Sequence, residues 1–178
     1  MLKIVAIVAG CVVVAVAVVL VLAAMKPDTF TVSRSTAVKA PPEKIYPLIE
    51  DFHRWTAWSP YEHRDPNLRR TFGGAPNGRG ATYAWEGNKD IGAGSMEIIE
   101  AAAPSKIVLK LDFSRPFEAH NTVTFSLVPQ GSDTAVTWAM QGPAPFFAKI
   151  IHVFINMDKM VGGDFETGLA RLKAAAEK

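Results

Sequence analysis

The chain has 178 residues, of which 49% are hydrophobic and 20% charged, and its formal net charge is +2 at pH 7. This length fits one domain plus an additional segment. The small positive charge, without any lysine- and arginine-rich run, argues against a nucleic-acid-binding protein.

The first predicted element is an apolar helix at residues 4–24, IVAIVAGCVVVAVAVVLVLAA, which contains no charged side chain. A helix of this length is about 30 Å long, close to the thickness of the hydrocarbon core of a bilayer. Lys3 and Lys26 flank it, as is typical of interfacial anchors. A cleaved signal peptide would have a shorter apolar run of about 7–15 residues. We therefore favour an uncleaved single-pass anchor, with cleavage near Ala24 as the alternative.

The charges near this span favour opposite orientations. Lys3 and the terminal amine favour a cytoplasmic N-terminus, with the rest of the chain exported. Four basic residues that follow the span oppose export: Lys26, Arg34, Lys39 and Lys44. We expect the soluble part to lie on the non-cytoplasmic side. We also expect the chain to divide into an anchor at residues 1–26 and a domain at residues 27–178.

The domain begins with a strand and a short helix. Phe30 to Val38 alternate between larger apolar and small polar side chains, which predicts a strand. The sequence Pro41-Pro42-Glu43 then predicts a helix start, because proline is tolerated in the first turn. One face of this helix carries four apolar side chains, Ile45, Leu48, Ile49 and Phe52.

Six further strands are predicted, separated by turns rich in glycine, proline and asparagine. Their ranges are 69–72, 81–86, 95–102, 106–114, 118–128 and 134–141. The spacing of roughly ten residues is typical of an antiparallel meander. Alternation along 106–114 places Leu109 on an apolar face and Lys110 on a wet one. The other strands repeat this division, so one face of the sheet is predicted to be apolar and aromatic.

The chain ends in a predicted amphipathic helix. Its apolar residues recur at spacings of three and four: Ile150, Val153, Phe154, Met157, Val161, Phe165, Leu169 and Leu172. Gly162 and Gly163 interrupt the pattern, which indicates a kink or a close approach to the sheet. Residues 146–156 form a separate helical piece in a second interpretation. One helix covering one curved antiparallel sheet is an α+β arrangement.

Four stretches resemble the SRPBCC superfamily, the START-like proteins that include polyketide cyclase/dehydrase homologues. In chain order they are APPEKIYPLIEDFHRWTAWSP, GRGATYAWEG, AVTWAMQG and MDKMVGGDFETGLARLK, and this order is typical of that superfamily. The resemblance implies a helix-grip fold, in which about seven strands curl around a long C-terminal helix and leave a deep apolar cavity. Members bind lipids, sterols, polyketides or hormones, and some are enzymes, so the fold does not fix the function.

The stretch FHRWTAWSPYEHRDP, residues 52–66, contains side chains that often bind metals. His53, Glu62, His63 and Asp65 lack the spacing of common zinc motifs, however. We interpret them as a solvated loop of mixed charge, and we predict neither a metal site nor a cofactor. Trp55 and Trp58, three residues apart, are expected to lie close together in the wall of a pocket.

The apolar face of the sheet and the terminal helix supply the candidate ligand-binding residues. Those expected to line a cavity are Trp55, Trp58, Tyr83, Trp85, Phe113, Asn121, Phe125, Trp138, Met140, Met157 and Val161. Asn121 interrupts an apolar row, and its amide needs either a backbone partner or a ligand. Arg34 falls in register with inward residues. We expect it to reach water at the rim of the sheet, with pairing to a carboxylate as the alternative.

No catalytic constellation stands out, because Gly-x-Ser-x-Gly and paired-carboxylate patterns are missing from the sequence. We therefore favour a membrane-anchored module that binds a lipid-like or polycyclic hydrophobic small molecule over an enzyme. The alternative is a polyketide cyclase/dehydrase-like enzyme acting on an apolar substrate in the same cavity. A third hypothesis is a sensor whose ligand alters contacts with another membrane protein. An inward acid or histidine would favour the enzyme.

The predicted register of residues 106–114 can be tested directly. Leu109→Ala removes a core side chain and should lower the free energy of unfolding by about 2–5 kcal/mol. Lys110→Ala on the wet face should change it by no more than about 0.5 kcal/mol. Urea unfolding measures both, and reversed costs would mean that the register is wrong by one residue.

Overall fold

The computed structural model describes residues 1–178, apart from the side chain of Leu2, and confirms the α+β helix-grip architecture. The helices are α1 (Leu2–Ala24), α2 (Pro42–Glu50), α3 (Phe146–Phe154) and α4 (Met157–Ala176), with a 3-10 helix at Phe52–Ala57. The strands are β1 (Thr29–Val38), β2 (Arg69–Gly74), β3 (Ala81–Glu86), β4 (Ala93–Ala102), β5 (Lys106–Arg115), β6 (Ala119–Gln130) and β7 (Asp133–Pro143).

The seven strands form one antiparallel sheet in the order β1-β7-β6-β5-β4-β3-β2. Strands β2 to β7 form a meander. The first strand of the chain, β1, lies at the edge of the sheet and pairs with the last strand, β7. Each predicted strand lies within two residues of the observed one. Tight turns join the meander, and Gly131, with φ of +65°, allows the left-handed conformation in the turn between β6 and β7.

The inner face of the sheet carries the core, as the alternation predicts. Leu109 is fully buried, whereas the Lys110 side chain is 55% exposed and pairs with Asp112 at 2.7 Å. On the neighbouring strand, Val123 and Phe125 are buried in the same layer. The period of two therefore assigns the faces of β5 and β6 correctly.

The 3-10 helix is tied to the end of α2 by two tryptophans. The indole Nε1–H of Trp55 donates to the carbonyl of Ile49 at 2.9 Å, and that of Trp58 donates to Leu48 at 2.8 Å. The last carbonyls of a helix lack partners within it. These two indoles satisfy such carbonyls at the end of α2, and this fixes both rings against the core.

Arg34 fastens α4 to the sheet. Its Nε donates to Glu166 Oε1 at 2.6 Å, and its Nη1 donates to Asp158 Oδ1 at 2.8 Å. The side chain is 24% exposed. The expectation that Arg34 extends to water is wrong, because two carboxylates of α4 lie close enough to pair with it. These bonds raise the pKa of Arg34 further above its usual range.

Two glycines of α4 mark close approaches to the sheet. A Cβ on Gly162 would lie 2.1 Å from Arg34 Nη2, and one on Gly168 would lie 2.6 Å from Trp138 Cζ3. Gly163, in contrast, has open space around it. Gly162 therefore interrupts the apolar pattern of α4 at a point where the helix lies close to Arg34 of β1. At Gly163 no other part of the chain that the structure describes comes close.

The apolar stripe predicted for the C-terminal region is divided between two helices. Ile150, Val153 and Phe154 belong to α3, which ends before α4 begins at Met157. The interpretation of residues 146–156 as a separate piece is thus confirmed. Asn156 caps α4, because its side-chain oxygen accepts the Lys159 N–H at 3.0 Å.

The glycines of α4 give a matched test of the helix–sheet contact. Gly168→Ala should destabilise the domain by about 1–3 kcal/mol, because its methyl group would overlap the buried Trp138 ring. Gly163→Ala should stabilise it by about 0.5–1 kcal/mol through helix propensity. All four tryptophans follow residue 54, so their fluorescence in urea monitors the domain alone. Equal effects of the two substitutions would contradict the contact.

Candidate functional site

A cavity of about 300 Å³ lies between the inner face of the sheet, the loop that follows the 3-10 helix, and the N-terminal half of α4. Its sheet wall consists of Tyr83, Trp85, Met96, Leu111, Phe113, Val123, Trp138 and Met140. Met160, Val161, Asp164 and Phe165 of α4 form the opposite wall. Trp55, Ser59, Tyr61, Glu62, Arg64, Leu68, Asp90 and Ile91 complete the lining. Most of the wall is apolar or aromatic.

Seven of the predicted lining residues lie in this wall: Trp55, Tyr83, Trp85, Phe113, Trp138, Met140 and Val161. The wall does not include Trp58, Asn121, Phe125 or Met157. Most of these seven residues were found from the alternation of side chains along the strands. Side chains two residues apart point to the same face of the sheet, and the inner face lines the cavity.

Trp58 and Phe125 form a second layer behind the wall. Both are fully buried, and their ring centroids are 5.8 Å apart in an edge-to-face arrangement. Trp58 also contacts Trp55 at 4.8 Å and Trp138 at 5.6 Å. Trp138 in turn stacks on Phe165 of α4 at 4.1 Å. The second layer therefore holds the rings that face the cavity.

Asn121 and Met157 lie outside this aromatic arrangement. Asn121 is 7% exposed, and a Cβ on Gly142 would lie 2.0 Å from its Oδ1, so its amide packs against the backbone of β7. The choice between a backbone partner and a ligand for this amide stays a prediction. Met157 is half-buried at the start of α4.

A buried polar cluster that sequence reasoning missed is centred on Glu62. Its carboxylate accepts the Tyr83 hydroxyl at 2.7 Å and the Arg70 Nε–H at 2.6 Å. The Glu62 side chain is 4% exposed, and Arg70 is 29% exposed. A charged group can be buried when an opposite charge and hydrogen bonds compensate it. The cluster places a compensated carboxylate and a phenol in the wall of an apolar cavity.

The interpretation of residues 52–66 as a solvated loop is wrong for both of its acids. Glu62 and Asp65 are 5% and 6% exposed. Asp65 accepts the backbone N–H of Asn67 at 2.8 Å and that of Asn88 at 2.6 Å, which holds the loop against the β3–β4 turn. The histidines fit the solvated interpretation better, since His53 and His63 are exposed and bond to Asp51 and Thr56 respectively.

The polar atoms in the wall differ in hydrogen-bonding capacity. Burial, together with the hydrogen bond to Glu62, raises the pKa of the Tyr83 phenol, so Tyr83 stays neutral and its O–H donates a hydrogen bond to Glu62. Among the residues that the structure describes, the indole Nε1–H of Trp138 has no hydrogen-bond partner. A buried unpaired donor is costly. A ligand oxygen that reached this N–H would remove that cost.

Charged residues surround the part of the cavity nearest to α4. Arg64 pairs with Asp164, and its guanidinium carbon lies 5.1 Å from the centre of the Tyr61 ring. Burial and the nearby Asp164 raise the pKa of Tyr61. Met160 lines the cavity and is also 54% exposed, so the wall continues to the surface at this point.

A second depression, of about 450 Å³, is open to solvent between β2, β3, β4 and β5. Glu86 pairs there with Arg69 and Arg115. Its walls are mostly short or charged side chains, and it is more open to solvent than the cavity under α4. The cavity is therefore the better candidate for binding an apolar molecule.

The sequence of residues 29–177 matches the family described as polyketide cyclase/dehydrase and lipid transport. The chain belongs to this family. The match covers the whole sheet and α4, and α1 lies outside it. By length and composition α1 can cross a membrane, and an N-terminal signal sequence would have the same properties.

Solved structures share the family fold at low sequence identity. A protein from Chromobacterium violaceum has a TM-score of 0.59 at 15% identity, covering 86% of this chain and 99% of its own. The major latex-like protein 151 of Panax ginseng has a TM-score of 0.61 at 13% identity, covering 85% and 100%. A putative protein of the dynemicin biosynthetic locus has a TM-score of 0.57 at 15% identity, covering 86% of this chain and 48% of its own. No curated protein matches the sequence.

Two buried tyrosines give a matched test of the polar cluster. Tyr83→Phe should lower the free energy of unfolding by about 1.5–3 kcal/mol, because a hydrogen bond to the Glu62 carboxylate is lost. The hydroxyl of Tyr46, also buried, has no partner among the described residues. Tyr46→Phe should therefore be neutral or stabilising. Urea unfolding of both variants checks this, and a smaller loss at Tyr83 than at Tyr46 would contradict the assigned bond.

Proposed function

We propose that this family member binds a neutral, hydrophobic small molecule, lipid-like or polycyclic, in the cavity between the sheet and α4. The observation that carries the proposal is an aromatic cavity of about 300 Å³ with one buried polar cluster, Glu62 and Tyr83, in its wall. Ligand sites are typically apolar with a few placed polar groups that fix orientation. The family description, which includes lipid transport, supports the same class of ligand.

The polar groups specify the chemistry that the ligand should carry. Glu62 and the Tyr83 oxygen have lone pairs left to accept a hydrogen bond, which favours a ligand hydroxyl as donor. The unpaired Nε1–H of Trp138 is fully buried, and a ligand oxygen could accept from it after a small movement of the ring or of a neighbouring side chain. A hydroxyl meets either need, and a carbonyl meets the second. We therefore propose alcohols, phenols and hydroxylated ketones as the ligand class.

The charges of the lining disfavour anionic ligands. Glu62, Asp90 and Asp164 are acidic, and Arg64 is the basic residue in the wall. Arg64 already pairs with Asp164, and Arg70 behind the wall compensates Glu62. A carboxylate ligand would lose its hydration without gaining a free cation. Fatty-acid anions should consequently bind more weakly than the corresponding alcohols.

The apolar helix α1 gives the ligand site its proposed location. We propose that α1 is an uncleaved anchor at residues 1–26 that holds the domain at residues 27–178 next to the bilayer, on the non-cytoplasmic side. Apolar molecules partition into bilayers, so tethering places the cavity where its ligands accumulate. The length and composition of α1 support a span of this kind.

A second candidate function is a cyclase/dehydrase-like enzyme in the same cavity. The observation that favours it is the inward acid, Glu62, beside the Tyr83 phenol. Both oxygens of the Glu62 carboxylate already accept hydrogen bonds from the protein, from Arg70 and from Tyr83, and neither is free of a protein partner. Tyr83 is neutral and donates to Glu62, so it is better placed to orient a ligand than to transfer a proton. Binding without turnover is therefore the favoured function.

The ligand class is tested with pairs that differ only in charge. The full chain in detergent is titrated with decanol and decanoate, and with naphthol and naphthoate, while tryptophan fluorescence is recorded. We expect the neutral member of each pair to bind on the order of tenfold more tightly, since a desolvated carboxylate lacks a partner in the wall. Affinity for the neutral members should depend little on salt, because screening acts on exposed charges.

Tyr83→Phe and Tyr46→Phe serve as test and control in this titration. Tyr83→Phe should reduce the preference for the hydroxylated ligands severalfold, and Tyr46→Phe should leave it unchanged. Tighter binding of the anions would overturn the proposed class. Mass spectrometry of a bound hydroxylated diketone distinguishes the second function: a dehydrated or cyclised product that disappears in Glu62→Gln would favour the enzyme.

A further inference from the structure

An exposed apolar surface extends along α3 and its junction with α4. It consists of Phe146, Phe147, Phe154, Ile155 and Met160, which are between 43% and 72% exposed. Phe147 and Phe154 are seven residues apart, two turns of a helix, and so share one face of α3. Large apolar side chains grouped in this way mark an interaction surface when they are contiguous.

The position of α3 is fixed relative to the end of α1. Asp28, in the linker after α1, accepts the Lys149 Nζ at 2.5 Å through its carboxylate and the Ala144 N–H at 2.7 Å through its carbonyl. Ala23, in the last turn of α1, is fully buried, and α1 contacts α3. The Lys149 charge is thus used internally, and the exposed face of α3 is left apolar. Both features place α3 beside the point where α1 leaves the proposed span.

We propose that the surface formed by Phe146, Phe147, Phe154, Ile155 and Met160 lies in the interface of the same bilayer that α1 crosses. The inference rests on the proposed anchor, since α1 fixes the level of the membrane at Ala24 and α3 is bonded to the residues that follow. A helix with one apolar face lies in the interfacial plane with that face among the acyl chains. We favour the bilayer over a protein partner because the surface on α3 is held next to the end of α1, where the membrane would be.

Docking on this surface would connect the cavity with the lipid. Met160 belongs both to the exposed surface and to the cavity wall, next to Val161 and Asp164. An apolar ligand that enters beside Met160 passes from the acyl chains into the cavity with little exposure to water. The transfer avoids the cost of hydrating apolar surface. The bilayer is then both the partner of this surface and the source of the ligand.

Site-specific fluorescence in vesicles tests the proposal with the full chain. The native Cys11 lies within α1, and a nitrobenzoxadiazole label there reports whether α1 spans. In a Cys11→Ala background, Phe154→Cys carries the label on the proposed surface. Ser132→Cys is the control, because it is exposed at the opposite end of β7 from α3. The vesicles contain phosphatidylcholine with a quencher either at a shallow acyl position or at the bilayer centre.

We expect central quenching at Cys11, shallow quenching at position 154, and no quenching at position 132. Quenching at Cys11 without quenching at 154 would overturn the docking surface and leave the anchor intact. No quenching at Cys11 would overturn the anchor and, with it, this inference. Equal quenching at 132 and 154 would mean that the whole domain adsorbs to lipid, and this too would overturn the specific surface.

A second variant tests the connection to the cavity. A label at Met160→Cys should show shallow quenching, and Phe147→Ser with Phe154→Ser should reduce it severalfold, because the apolar contact with lipid is lost. Both phenylalanines are exposed, so the fold should be preserved, which tryptophan fluorescence in urea verifies. An unchanged signal at position 160 in this variant would show that the surface does not hold the cavity entrance at the bilayer.

Discussion

The structure depends on how one helix covers a sheet that is much wider than itself. A helix with its side chains is about 10–12 Å across, whereas seven strands spaced about 4.8 Å apart extend roughly 30 Å. The helix α4 packs mainly on β1, where Arg34 binds Asp158 and Glu166. The strands farther along the sheet must be covered by other elements, and the space that remains uncovered is the cavity. Trp55 of the 3-10 helix forms part of its wall, and Trp58 packs behind Trp55.

The aromatic layer keeps this cavity open because its rings brace each other. Trp58 lies between Trp55 and Trp138, and Trp138 stacks on Phe165 of α4. Gly168 lets α4 approach the Trp138 ring closely. Side chains around a void in an ordinary core relax part of the way into it. Here the wall residues are held from behind by the aromatic layer, which limits how far they can relax into the open space.

In the proposed function, the polar groups of the cavity would give an otherwise apolar site its selectivity. Apolar contacts discriminate poorly between molecules of similar size, whereas a buried hydrogen-bonding group rejects ligands that leave it unpaired. Glu62, Tyr83 and Trp138 supply these groups in this chain. Entry from the bilayer would supply concentration, and the polar groups would then select among the molecules that enter. In the proposed function, the membrane anchor thus raises the local concentration of ligand, and the polar groups determine which ligand is bound.

The sequence by itself determined the elements and their faces, because periodicity is a local property. The alternation along β5 identifies Leu109 as buried, and the same period placed Tyr83 and Trp138 toward the interior. Tertiary structure alone decided the charged contacts. Arg34 meets carboxylates 124 and 132 residues away, and Glu62 lies in a loop without periodicity. Their burial depends on elements that approach through space, so no spacing along the chain could reveal it.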